Sequence, residues 1–303
     1  MRIERVDAAT YNRWFSRPRY LYNSKDFAEL NRYKVGDIHY LLISREGHTE
    51  PDLGIIFGES EGELLSPFSA PYGGWEELTD DFSLYIDAAE AIAGYCGGRA
   101  KITLPPFVYG PRVTAQAEAL KLCGARQLYA DVNHSLDISD RDHMFDRLNQ
   151  KARKKLRLSL QEDFKLETGK QLLDEAYDLI ERNRRERGYY LSMTHYQVYE
   201  LTEALKSTEF FVLRHGDTAV ASAVVNLVDR EIAQVVYWGH LKEFDELHPM
   251  NYLSSSLMAY YNSFGYRLLD VGTSSIHGEP LLGLIQFKRS IGCETSDKLT
   301  LQI

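Results

Sequence analysis

Lys288 sits where an ordinary helix would keep a hydrocarbon. In LLGLIQFKRSIG (281–292) it follows Leu281, Leu284 and Ile285 at the i, i+3, i+4, i+7 spacing that marks one helix face. A lysine on such a face must snorkel to water, pair with an anion or lose its proton, because an unpaired buried charge costs several kcal/mol. Three further groups of residues carry chemical potential. Arg147, Lys151, Arg153, Lys154, Lys155 and Arg157 crowd one predicted helix. Residues 147, 151, 154 and 155 fall roughly on one face and 153 and 157 on another, a stripe suited to phosphates or, equally, a solvated surface. Gly73 and Gly74, between Tyr72 and Trp75, permit the positive φ and close approach of a phosphate loop, and are equally good turn chemistry. Cys96, Cys123 and Cys293 are far apart and form no metal-type cluster, so no metal site is expected.

The elements that must position these residues follow from periodicity. Short strands are predicted at 39–44, 53–58 and 62–67, then a helix at 81–96, a strand at 100–105, a helix at 111–124 and a strand at 125–138. The same order returns about 170 residues later. Strands at 210–215, 219–228 and 233–240 precede a helix at 251–265, a strand at 266–272, the Lys288 helix and a strand at 294–303. A glycine closes the second helix of each half, at 124 and 292, as a helix C′ position favours. The expected fold class is therefore α/β with mixed sheets (α+β in character): two tandem domains of plan β-β-β-α-β-α-β, each flanked by helices. The first spans 1–140 and the second 141–303, opening with a helical connector at about 141–206.

Bulk properties narrow the partners. The chain has 303 residues, 44% hydrophobic and 26% charged, with 20 tyrosines, which describes a folded globular protein. Its net charge of -9 offers nucleic acid no general attraction, the basic stripe excepted. MRIERVDAATYNRWF lacks an apolar signal core, and no run approaches the roughly 18 to 20 apolar residues of a membrane helix, so a cytoplasmic location is expected.

Three stretches carry a family resemblance: NQKARKKLRLSLQEDFKLE, ERNRRERGYYLSMTHYQVYELTEAL, and DVGTSS followed by GLIQFKRSIG. Together they resemble the FemAB-like branch of the GNAT acyltransferase superfamily, whose bacterial cell-envelope members contain two tandem GNAT units. The match is specific from about residue 142 onward and architectural before it. The resemblance implies transfer of an acyl or aminoacyl group to an amine, from acyl-CoA or acetyl-CoA or, in cell-wall branching, from aminoacyl-tRNA. It places Lys288 near the transfer centre, where a fixed ammonium would neutralise the oxyanion.

With that frame, Asp270 and His277, flanking the D-x-G strand end, are the candidates for proton removal, ahead of His240 and His248. Gly272 and Ser274 of that strand end, and Tyr237 and Trp238 of the preceding strand, are candidate substrate contacts, with strand alternation putting one of the last two on each face. Arg153 and Arg157 would meet phosphate, and Tyr72, Gly73 and Gly74 a ligand in the first unit. The second unit shows HLKEFDELHPMNYL (240–253) where ordinary GNAT enzymes carry a glycine-rich pyrophosphate loop, and no helical arm is inserted between 188 and 210. The reading is an N-acyltransferase moving an acyl group from acyl-CoA to an amine on a cell-envelope precursor. The alternatives are an aminoacyl-tRNA-dependent ligase of cell-wall precursors and a non-catalytic GNAT scaffold.

Overall fold

The computed structural model describes residues 1–303. They form two compact units: residues 1–132 with 275–279 and 296–303, and residues 133–274 with 280–295.

Unit 1 opens with β1 (Arg2–Val6), α1 (Ala8–Trp14) and α2 (Lys25–Leu30). It continues through β2 (Asp37–Ser44), β3 (Leu53–Ser60), β4 (Glu63–Ser66), β5 (Trp75–Glu77), α3 (Leu84–Cys96), β6 (Ala100–Thr103) and α4 (Pro111–Leu122) to β7 (Arg126–Asp137). Its strands run antiparallel except β4 and β6, which are parallel. Tyr11, Tyr40, Tyr72, Trp75 and Tyr85 are among its largest fully buried side chains.

Unit 2 contains α5 (Gln150–Ser159), β8 (Phe164–Thr168), α6 (Leu173–Arg187), α7 (His195–Leu205), β9 (Thr208–His215), β10 (Thr218–Leu227) and β11 (Ile232–His240). Next come α8 (Pro249–Ser263), β12 (Leu268–Thr273), a short hairpin of β13 (Ser275–Ile276) and β14 (Glu279–Pro280), α9 (Leu282–Ser290) and β15 (Glu294–Gln302). Strands β8, β9, β10, β11, β12 and β7 lie side by side in that order, and only β11 and β12 are parallel. Asn149 caps α5 by accepting from the Ala152 amide at 2.8 Å, and a capping box of Thr194 and Gln197 starts α7.

Each predicted strand and helix is present, and Gly124 and Gly292 take positive φ (89° and 91°) at the predicted helix ends. Two expectations are corrected. The β-β-β-α-β-α-β plan lacks its first three elements: β1, α1 and α2 in unit 1, and β8, α6 and α7 in unit 2. Most of the expected connector is therefore domain. β8 hydrogen-bonds along β9 as an edge strand, and α6 packs over β10 and β11. The boundary at 140/141 also differs from the observed one, because the last strand of each half joins the other unit. Residues 133–137 of β7 pair with β12, while Thr300, Leu301 and Gln302 of β15 pair with Thr103, Ile102 and Lys101 of β6. Hydrogen-bonding edges, not sequence proximity, assign these strands.

Candidate active site

The site in unit 2 begins with a ladder that stops. Parallel pairing between β11 and β12 covers only Ile232 with Leu268, Ala233 with Leu269 and Gln234 with Asp270. Beyond it β11 continues to His240 with β10 on its other edge, and its β12-side edge is released. A bulge adds Val236 to β11, since Val235 faces Val225 and Tyr237 faces Val224. Such a bulge re-aims side chains. Val235 packs with the α8 side of the sheet, whereas Tyr237 turns to the α6 side and Trp238 returns to the α8 side against Phe287, ring centroids 6.0 Å apart.

Asp270 pins the point of divergence. Fully buried, it accepts from Asn133 Nδ2, Gln234 Nε2 and the Gly272 amide, each at 2.8 Å. Gly272 reaches Asp270 because its φ is +74°, a conformation that costs other L-residues about 1 kcal/mol or more. The turn aims two carbonyls at one point: Lys288 Nζ donates to Gly272 O and Thr273 O, both at 2.9 Å. Ser274 follows, its side chain fully buried and its hydroxyl without a partner in the protein.

Lys288 is 2% exposed and is the only buried residue of α9. Burial drives its pKa down from 10.5 to about 8, opposed by Cys293 and Asp270 and reinforced by Arg184. It thus neither snorkels nor forms an ion pair: backbone carbonyls hold an ammonium that remains about nine-tenths protonated at pH 7.

The other predicted site residues are distributed differently. His277 lies in the 275–279 hairpin of unit 1, exposed, its ring tilted against Tyr129 with centroids 4.9 Å apart and at φ +51°. The Asp270 carboxylate is occupied by three hydrogen-bond donors. The Tyr237 hydroxyl meets Ser192 Oγ at 2.5 Å and accepts from Met193 N at 3.1 Å, anchoring the segment between α6 and α7. Tyr72 is fully buried and edge-packed on Tyr20, Tyr22 and Tyr109. The Gly73 amide donates to Thr103 O and the Gly74 amide to Ser66 Oγ. Side chains at either glycine would collide with Ser66, Pro67 or Gln116. The pair is packed turn structure beside a cavity of about 20 Å³, room for about one water.

Along α5 the cations divide. Arg147 pairs with Asp137 and Glu294, and Arg153 donates to the carbonyls of Leu148 and Asp146. Lys151, Lys154 and Arg157 have no such partner and, with Asn149 and Gln150, line an open groove of about 860 Å³. No acid occurs from 147 to 161. Helix α5 packs against α8, and the segment preceding α8 carries Glu243, Asp245 and Glu246 with no glycine, a poor seat for pyrophosphate.

Two residues gain importance from the structure alone. Arg184 of α6 stacks over Tyr189 at 5.9 Å without an acidic partner and lies in the electrostatic field of Lys288 and Tyr237. His240, at the end of β11, is hydrogen-bonded through Nε2 to Asp245 at 2.5 Å, and burial lowers its pKa below 6.5, keeping it neutral at pH 7. His240 was visible as a candidate in the sequence; Arg184 was hidden among four arginines in 182–187 and the flanking acids.

Residues 145–289 match the family model described as an acetyltransferase (GNAT) domain. Among solved structures, FemX superposes with a TM-score of 0.70 at 14% identity, covering 100% of this chain and 97% of its own. L-PGS from Bacillus licheniformis gives 0.59 at 14% identity, covering 97% and 91%. A tandem GNAT protein from the clavulanic acid biosynthesis pathway gives 0.50 at 12% identity, covering 100% and 98%. At these identities the likeness is one of fold. No curated protein sequence matches the chain. No helix is long and apolar enough to cross a membrane, and no group of three His, Cys, Asp or Glu residues could hold a metal.

Proposed function

We propose that this chain, whose residues 145–289 match the acetyltransferase (GNAT) domain model and whose fold is similar to that of FemX, is a FemAB-like acyltransferase that moves an acyl group from acyl-CoA to an amine on a cell-envelope precursor. The observation that carries the reading is the buried Lys288 ammonium, fixed by two carbonyls where β11 and β12 part. The acyl carbonyl lies in that split with its oxygen toward Nζ. The amine nitrogen attacks the carbonyl carbon, and the tetrahedral oxyanion is neutralised by a charge already in position and shielded from water. The C–S bond then breaks, and the departing thiolate takes up the proton lost by the amine, with neutral His240 as the candidate carrier. Ser274 supplies a second donor, its hydroxyl, near the same strand end. The phosphate-bearing end of the donor is assigned to the α5 groove, where Lys151, Lys154 and Arg157 stand unpaired, and not to the acidic segment before α8.

A thermal-shift titration with acetyl-CoA, longer acyl-CoAs and free CoA tests this. Stabilisation by acyl-CoA that weakens in Lys288→Ala supports it, and no shift with any of them rejects the CoA donor. The acid-free face of α5 favours one second reading, an aminoacyl-tRNA donor. Filter retention of tRNA that falls steeply with salt, and is lost in Lys154→Ala/Arg157→Ala, would select it.

A further inference from the structure

Helix α9 (Leu282–Ser290) buries one of its two charged residues, Lys288, while the leucines at its start face outward. Lys288 is 2% exposed, whereas Leu281, at the start of the same stripe, is 43% exposed and neighbouring Leu282 67% exposed. Between them Leu284 and Ile285 are half-buried. At 1.5 Å per residue, the stripe from Leu281 to Lys288 is about 10 Å long. It contains no polar side chain before the lysine, and Gly283 beside it adds no bulk, with open space where its Cβ would stand. The Leu281 amide is tied to Ser274 O at 2.8 Å, so the outer end of the stripe is held to the strand end whose carbonyls cradle Lys288.

We propose that this stripe is the wall along which the aliphatic chain of the acyl donor lies, making the donor a medium-chain acyl thioester and not an acetyl one. The inference rests on the acyl-transfer reading of Lys288. With the carbonyl oxygen at Nζ, the next carbons meet Ile285 and Leu284 and the end of the chain meets Leu281. The shape selects the occupant. One row of side chains about 10 Å long covers a single hydrocarbon chain, whereas a protein partner or a lipid surface needs a broad apolar face. Uncovered, the leucines are a cost in water; covered by methylenes, they convert chain length into affinity.

The test is calorimetric titration of the full chain with octanoyl-CoA, acetyl-CoA and sodium octanoate, for the natural sequence and for Leu281→Ser/Ile285→Thr. Both substituted positions are solvent-accessible, and circular dichroism confirms folding of the variant. The expected result is octanoyl-CoA binding at least about tenfold tighter than acetyl-CoA, with that ratio falling toward one in the variant. Equal affinities for the two thioesters in the natural sequence overturn the chain site and leave the transferase reading standing. Octanoate binding that is weakened in the variant, with no binding of either thioester, keeps the chain site and removes the CoA donor. Absence of binding by all three, or a dimer that the double substitution dissociates, overturns the inference.

Discussion

At the residue scale the protein turns on one proton. Lys288 is acidified by burial, to about 8 from 10.5, yet its proposed role needs the ammonium. Two pH dependences follow with opposite signs. Transfer should fall as pH rises through about 8, because the neutral amine no longer stabilises the oxyanion; a rate profile flat to pH 10 would remove the charge from the mechanism. Stability should move the other way. The folded-state pKa is depressed, so the unfolded chain binds the extra proton between about 8 and 10.5, and unfolding free energy rises with pH across that window by about 3 kcal/mol. Lys288→Met has no proton to exchange there. It should lack the rise, be at least as stable as the natural protein at pH 7, and lose about a hundredfold to a thousandfold in turnover. Urea unfolding at pH 7 and pH 10, beside an acyl-transfer assay, checks all three outcomes. A variant that is both unstable and inactive would make Lys288 a structural residue.

At the element scale, the machinery is the parting of β11 from β12 and the turn that follows it. Asp270 holds that point with three hydrogen bonds, which separates two roles by experiment. In Asp270→Asn an amide donor replaces one acceptor oxygen and faces Asn133 or Gln234, themselves donors, leaving a buried group unsatisfied. A loss of about 1–3 kcal/mol is expected in chemical denaturation, with turnover reduced and not abolished. Full stability with no turnover would instead make Asp270 the base. The sequence displayed part of this arrangement. The 3.6-residue period exposed the oddity of Lys288, and the D-x-G strand end marked the turn that meets it, because both are local patterns. The bulge at Val236 is not local: VVYWGH reads as plain alternation, and only pairing with β10 shows an extra residue, which leaves Val236 and Tyr237 on the same side of the sheet. The place of His277 is not local either. It follows the D-x-G turn by five residues, but the β13–β14 hairpin assigns it to unit 1. The segment at 141–206 reads as a connector because α6 is strongly polar and β8 is a short edge strand, and neither announces the sheet it completes.

At the scale of the whole molecule, sequence and structure divide the chain differently, and the difference has a measurable consequence. The last strand of the chain belongs to the unit that starts it: Leu299 and Leu301 are 3% and 0% exposed, Leu301 pairs with Ile102, and Thr300 Oγ1 meets Thr103 Oγ1 at 2.8 Å. Residues at a chain end ordinarily fray and tolerate change. Here Leu301→Ala removes a fully buried side chain from the core of unit 1, at a cost of about 2–5 kcal/mol. The location of the damage is the sharper test. If the units were the contiguous halves at 1–140 and 141–303, loosening residue 301 would open the second half, and limited proteolysis would cut within 141–295. Because residues 296–303 complete the sheet of unit 1, the new cleavage sites in Leu301→Ala should fall within 1–132, far from the substitution in sequence, while α9 and the Lys288 cradle stay protected. Cleavage confined to 141–295 would restore the contiguous halves.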